Sequence, residues 1–150
     1  MISYPDTSFL CNLYRVQKHS VKADAYRRSM SEPLYFTSLL ELEFLQAIRL
    51  QVWLNASDRS KGYGQWEADQ MIENWRSHVA SGAVRKVGYN AEALNSLSLD
   101  YSEMYTTRFG NRTMDVQHVA TAIQLGAQEL LSFDDRQKKL AKMVGLRTPL

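Results

Sequence analysis

The chain has 150 residues, 45% of them hydrophobic, which is the size of one domain able to bury a real core. Eighteen Lys and Arg against sixteen Asp and Glu leave a net charge of +2, which by itself says little about partners, and the lone cysteine, Cys11, excludes an internal disulfide and suits a reducing compartment. The opening MISYPDTSFL lacks a basic segment followed by an apolar run, and no stretch reaches the roughly 18 apolar residues of a membrane span, so a soluble, cytoplasmic protein is expected.

Residues 1–4 form a short apolar run ending at Pro5 and Asp6, and 34–36 form a second after the breaker Pro33. Both read as short buried strands. A third run covers 129–133, and 146–150 is a candidate terminal strand. Apolar spacing predicts helices over 7–15, 21–30, 39–54, 65–80, 91–109, 114–125 and 136–144. Residues 83–89, between Gly82 and Gly88, offer an exposed strand at best, because Arg85 and Lys86 interrupt it. The polar stretch NASDRSKGYG at 55–64 is the most loop-like and is too short to link two domains. One domain over 1–150 is therefore expected. Strands separated by helices, with no tight hairpin signals, argue for an α/β fold: a mainly parallel central sheet of four or five strands with helices on both faces.

In open parallel sheets, functional groups collect outside the carboxyl ends of the strands. Asp6 follows the first strand, and Asp134 and Asp135 follow the third. Glu41 and Glu43 stand early in the helix after the second strand, and Asp115 stands early in another helix. Taken singly, Asp6 and Asp134 read as helix N-caps and Asp115 as an acid opposing the helix dipole. Gathered at one sheet edge, the acids would repel one another, and a hard divalent cation, Mg²⁺ or Mn²⁺, would relieve that conflict. The rest of the surface would then be distinctly basic and would favour a polyanion. Ser38-Leu39-Leu40-Glu41 matches a capping box, which gives Glu41 a structural task. Glu43 falls outside it among mostly apolar helical neighbours and needs a partner, a metal or an arginine.

These residues resemble the PIN domain, in particular its VapC-like branch of toxin ribonucleases. Four pieces carry the likeness in order: YPDTSFL at 4–10, TSLLELEFLQAIR at 37–49, DVQHVATA at 115–122, and SFDDRQ at 132–137. The resemblance implies a PIN-like fold, metal ligation and catalysis at Asp6, Glu43, Asp115 and Asp134, and Mg²⁺ or Mn²⁺ as cofactor. It picks Glu43 over Glu41 and Asp134 over Asp135, leaving Asp135 as a helix-starting acid in reserve. It further implies metal-dependent cleavage of RNA by water, leaving 5′-phosphate and 3′-hydroxyl ends, an antitoxin partner that fills the acidic groove, and a homodimer. Ser132 stands where many members carry Thr, and 55–111 matches no motif of the family.

Thr7 and Ser8 are candidates for bonding Asp6 or a metal-bound water, or are simple helix-start residues. Arg112 and Arg136 are candidates for phosphate contact, or are solvated or structurally paired side chains. His118, amid Val119 and Ala122, is expected to be a packing residue, and so is Cys11, which has no neighbouring base. Trp53, Trp66 and Trp75 read as packing or subunit-contact residues before base-stacking ones. Two other accounts remain at this point. One is a catalytically weak PIN-like module that binds RNA or protein. The other, disfavoured by the order of its acids, is a phosphatase-type phosphoryl-transfer domain.

Overall fold

The computed structural model describes residues 1–150. The elements run β1 (Ser3–Pro5), α1 (Thr7–Tyr14), α2 (Ser20–Ser29), β2 (Leu34–Phe36), α3 (Ser38–Ser57), α4 (Gln65–Ser81), β3 (Val84–Lys86) and α5 (Ala91–Tyr101). A π-helical turn (Ser102–Thr106) leads to α6 (Thr107–Phe109), α7 (Thr113–Gln124), β4 (Glu129–Leu131) and α8 (Asp135–Met143). This is the expected α/β alternation with parallel strands.

The four strands match the lower of the expected numbers, but they are split into two pairs. β1 pairs with β4 and β2 with β3, both in parallel. Pro5 accounts for the break. The Gln128 amide donates to the Ile2 carbonyl and the Asp6 amide to the Leu131 carbonyl, so even-numbered positions of β1 face β4. The odd positions face β2, and there Pro5 has no N–H to give. The C-terminal run makes no fifth strand. Arg147 forms one isolated parallel bridge to Glu129, and Pro149 cannot donate to a longer ladder.

Tyr4, Leu34, Phe36, Leu130 and Leu131 are fully buried, and Val119, Ala120 and Ala122 of α7 join Leu140 and Ala141 of α8 in the same core. Trp75 fills the other side, edge-on to Phe36 at 4.8 Å and Phe44 at 5.2 Å between ring centroids. It is a packing residue, whereas Trp53 and Trp66 are exposed. The loop after α3 is pinned at Gly62, whose φ is +58° and where a Cβ would stand 2.0 Å from the Gln51 carbonyl oxygen. Only glycine fits there. The helix expected over 91–109 is continuous in direction but changes hydrogen-bonding pattern at the π-helical turn. No helix is long and apolar enough to cross a membrane.

Candidate active site at the strand ends

Asp6 begins α1 immediately after β1 and is 3% exposed. Its Oδ1 accepts from the Phe9 amide at 2.8 Å and the Ser8 hydroxyl at 2.7 Å, and its Oδ2 accepts from Ser132 Oγ at 2.6 Å. Burial raises its pKa above the ordinary carboxylate value, against the opposing pull of those hydrogen bonds. No Lys or Arg pairs with it.

Ser132 ties Asp6 to Asp134, because its Oγ also accepts the Asp134 amide at 3.0 Å. Asp134 caps α8: its Oδ1 accepts the amides of Arg136 at 2.8 Å and Gln137 at 3.1 Å, while Oδ2 has no hydrogen-bond partner. The buried Gln137 in turn reaches the Asp115 carbonyl at 3.4 Å. Asp115, in the first turn of α7, accepts the Arg112 amide on Oδ2 at 2.8 Å and leaves Oδ1 without a partner. The N-cap and first-turn roles foreseen for these acids are therefore real; Asp134 and Asp115 each still leave one oxygen available, whereas both oxygens of Asp6 are taken.

Glu43 lies on α3 with its side chain 29% exposed. Its Oε2 accepts from Thr7 Oγ1 and from His118 Nε2, and Oε1 has no partner. Burial pushes its pKa up, but the bonds to His118 and Thr7 outweigh burial and bring it below the ordinary value. With Glu43 ionised, His118 donates through Nε2, and its Nδ1 lies 3.4 Å from the Tyr4 hydroxyl. Tyr4 in turn meets Thr37 Oγ1 at 3.4 Å, and Thr37 caps α3 by accepting the Leu40 amide at 3.3 Å. A chain of polar contacts thus runs from the start of α3 back to Glu43 on the same helix.

Two expectations change here. His118 is buried, as a packing residue would be, but it also bonds a candidate metal ligand across 75 positions of sequence. The signal was available: a buried imidazole has to find partners. The capping box at Ser38 does not form. Thr37 is the cap, and Glu41 instead pairs with Lys86 Nζ at 2.8 Å.

Thr7 and Ser8 each touch one of the acids, Glu43 and Asp6 respectively. Arg112 and Arg136 are exposed beside Asp115 and Asp134, and neither guanidinium enters an ion pair. Asp135 is exposed and held by Lys138 at 3.0 Å. Burial pushes the Cys11 thiol up to about 12, which leaves no thiolate for nucleophilic chemistry. Ser132 and Gln137 connect Asp6, Asp134 and the Asp115 backbone, while Glu43 stands apart on Thr7 and His118, and the acids are not drawn into a closed cage: no three His, Cys, Asp or Glu side chains are arranged to hold a metal ion.

The family model of the PIN domain matches residues 3–143. The chain belongs to the PIN domain family. Among solved structures, this PIN domain is similar to VapC20 of Mycobacterium tuberculosis, described as a sarcin-ricin loop cleaving toxin, at 16% identity over 97% of this chain and 96% of that one, with a TM-score of 0.66. It is similar to FitAcB of Neisseria gonorrhoeae at 15% identity over 94% of each chain, TM-score 0.66. PAE2754 of Pyrobaculum aerophilum follows at 15% identity over 95% of this chain and 81% of that one, TM-score 0.59. At such identities the likeness shows the fold. No curated protein matches the sequence.

Proposed function

We propose that this PIN domain is a divalent-metal-dependent endoribonuclease, the toxin of a toxin–antitoxin pair. One observation carries the reading. A buried aspartate, Asp6, has hydroxyl and amide donors but no Lys or Arg, and Glu43, Asp115 and Asp134 each present one unpartnered carboxylate oxygen. A buried acid without a basic partner is unfavourable unless a cation is supplied, and an all-oxygen donor set suits Mg²⁺ or Mn²⁺. The residues fit such an ion in kind. Glu43, Asp115 and Asp134 would offer it their free oxygens, and the three would have to draw together to hold it, since they are not so arranged in this structure.

When bound, the ion supplies positive charge to polarise a water and to offset charge on the scissile phosphate. The chain's own groups do the rest. Ser132 and the backbone amides of α1 and α8 fix Asp6 and Asp134, and Thr7 and His118 hold one oxygen of Glu43 and leave the other unpartnered. Asp115 or Asp134 takes the proton from the attacking water. Arg112 and Arg136, free of ion pairs, contact phosphates of the RNA.

The VapC20 description, an RNA-cleaving toxin, supports the RNA substrate and the toxin role. A partner surface is supported by Leu42, Leu50 and Trp53 exposed along α3 and Trp66 exposed on α4, which would be covered in a homodimer or by the antitoxin. The test is cleavage of a mixed RNA pool with Mg²⁺ or Mn²⁺, with EDTA and Asp115→Asn as controls. Metal-dependent cleavage that Asp115→Asn abolishes is the expected result. A folded protein that binds RNA without cleaving it would favour the alternative, a PIN-like binding module, which the lack of a closed cage keeps in view.

A further inference from the structure

A second site lies outside the acids. Between α5 with its π-helical turn and the start of α7 there is a cavity of about 490 Å³. That is well within the size range of ligand pockets. Its nine lining residues include no charged side chain, so it holds no fixed charge to favour an anion or a metal ion over a neutral ligand. Hydroxyls and amides dominate instead, among them Ser98, Ser102, Thr106, Thr113 and Gln117, with Leu99 and Val116 as apolar walls.

Asn111 is the feature that asks for a ligand. It lines the cavity, is 7% exposed, and neither its amide nitrogen nor its amide oxygen has a protein partner. Ser98 Oγ, also on the cavity wall, is likewise buried and unpaired. Nearly all buried polar atoms in proteins are paired, so two orphaned side chains on one cavity wall point to a group that completes them. The local backbone is unusual as well: Gly110 takes a left-handed φ of 65° just before Asn111, and a π-helical turn lines the opposite side. Such turns recur at functional sites.

We propose that this cavity is a base-recognition subsite that accepts one unstacked nucleobase of the RNA, with Asn111 reading its edge. The inference rests on the nuclease reading. A carboxamide presents one donor and one acceptor side by side, the complement of the N7 and N6 edge of adenine, and single-stranded RNA is read by splaying bases into neutral, partly apolar slots. The cavity adjoins the acids along the chain: Asn111 precedes α7, and Thr113 and Asp115 share its first turn.

Two measurements test this on the full chain. In the first, adenosine is titrated into isotope-labelled protein, with cytidine as comparison, and backbone amide shifts are followed by NMR. Adenosine is expected to move Ser102, Thr106 and Thr113 in the wild type and not in Asn111→Leu, a variant of similar volume that removes the orphaned amide. In the second, the 5′ ends released from a random RNA pool are sequenced, and Asn111→Leu is expected to lose roughly tenfold discrimination for adenine at one position near the cut. The variant should melt no lower than the wild type, because it buries no unpaired polar group. A lower melting temperature with an unchanged base profile would assign Asn111 to the fold and overturn the proposal. Pocket shifts that depend on protein concentration and ignore adenosine would overturn it in favour of a second copy seated there. Adenosine binding by a protein that cleaves no RNA would support the pocket while the nuclease reading fell.

Discussion

Two buried acids stand at opposite ends of the same strand pair, and the fold treats them differently. Glu129 opens β4 opposite Ser3, is 2% exposed, and is met by Arg147 Nη2 at 2.7 Å and by the Tyr26 hydroxyl. Asp6 follows β1 beside Leu131, is 3% exposed, and is met by two hydroxyls and an amide with no Lys or Arg. One acid is neutralised within the chain. The other is oriented by three donors and has no cation of its own. Burial is alike at the two ends and does not separate the two acids. The presence or absence of a basic partner does.

The largest expected effect separates acids by that criterion. Asp115→Asn should reduce metal-dependent RNA cleavage by roughly 10²–10⁴-fold, whereas Asp135→Asn, next to Asp134 but paired with Lys138 in solvent, should leave the rate within assay error. Equal losses in both would place the chemistry elsewhere. The next concerns His118. If it fixes Glu43 for the ion, His118→Leu should weaken Mn²⁺ binding about 10–100-fold in calorimetry while the protein stays folded. Unchanged affinity would return His118 to a purely packing role.

Stability then sharpens the contrast between the two ends. Glu129→Ala removes both the Arg147 and Tyr26 bonds and should destabilise by about 1.5–3 kcal/mol. At roughly 2–4 °C per kcal/mol, calorimetric melting resolves such a fall readily. Asp6→Asn should do the reverse in metal-free protein. Asparagine caps a helix as well as aspartate does, and it removes a buried charge that has no basic partner. A rise in melting temperature, coupled to lost cleavage, is expected. A fall would mean that Asp6 is held for the fold.

Much of this was legible in the residues. Strands at 34–36 and 129–131, the helices between them and the acids following the strands can be read from run length and spacing, because each depends on neighbours close in sequence. The sequence set Glu41 aside as part of a cap, but Glu41 pairs with Lys86 instead, and Glu43 meets Thr7 and His118. Thr37 and Ser38 are equally good caps on paper. The choice between them follows from where β2 ends and from the burial of Thr37 against Tyr4, 33 positions away. The pairing of His118 with Glu43 and the orphaned Asn111 are likewise products of tertiary packing. Pro5 could have warned of the split sheet, since its missing N–H matters only once the strand has a neighbour on each side.

The smallest effect is a pair of opposite pH slopes. Asp6 has a raised pKa in the folded protein, so the native state keeps that proton to a higher pH than the unfolded chain does. Its contribution is fully present below the unfolded value, near 3.8, and is lost as pH rises through the folded one. Glu43 has a lowered pKa, so its contribution is present above the unfolded value, near 4.5, and is lost as pH falls through the folded one. In metal-free protein, the stability gained by Asp6→Asn over the wild type should therefore grow as pH rises from about 4, as ionisation sets in. The loss caused by Glu43→Gln should shrink as pH falls below about 4.5, because the wild-type carboxylate is then protonated as well. Denaturant melts of both variants at a series of pH values measure the two slopes. Slopes of the same sign would mean that Asp6 has a basic partner after all, and the difference between the two ends of the strand pair would disappear.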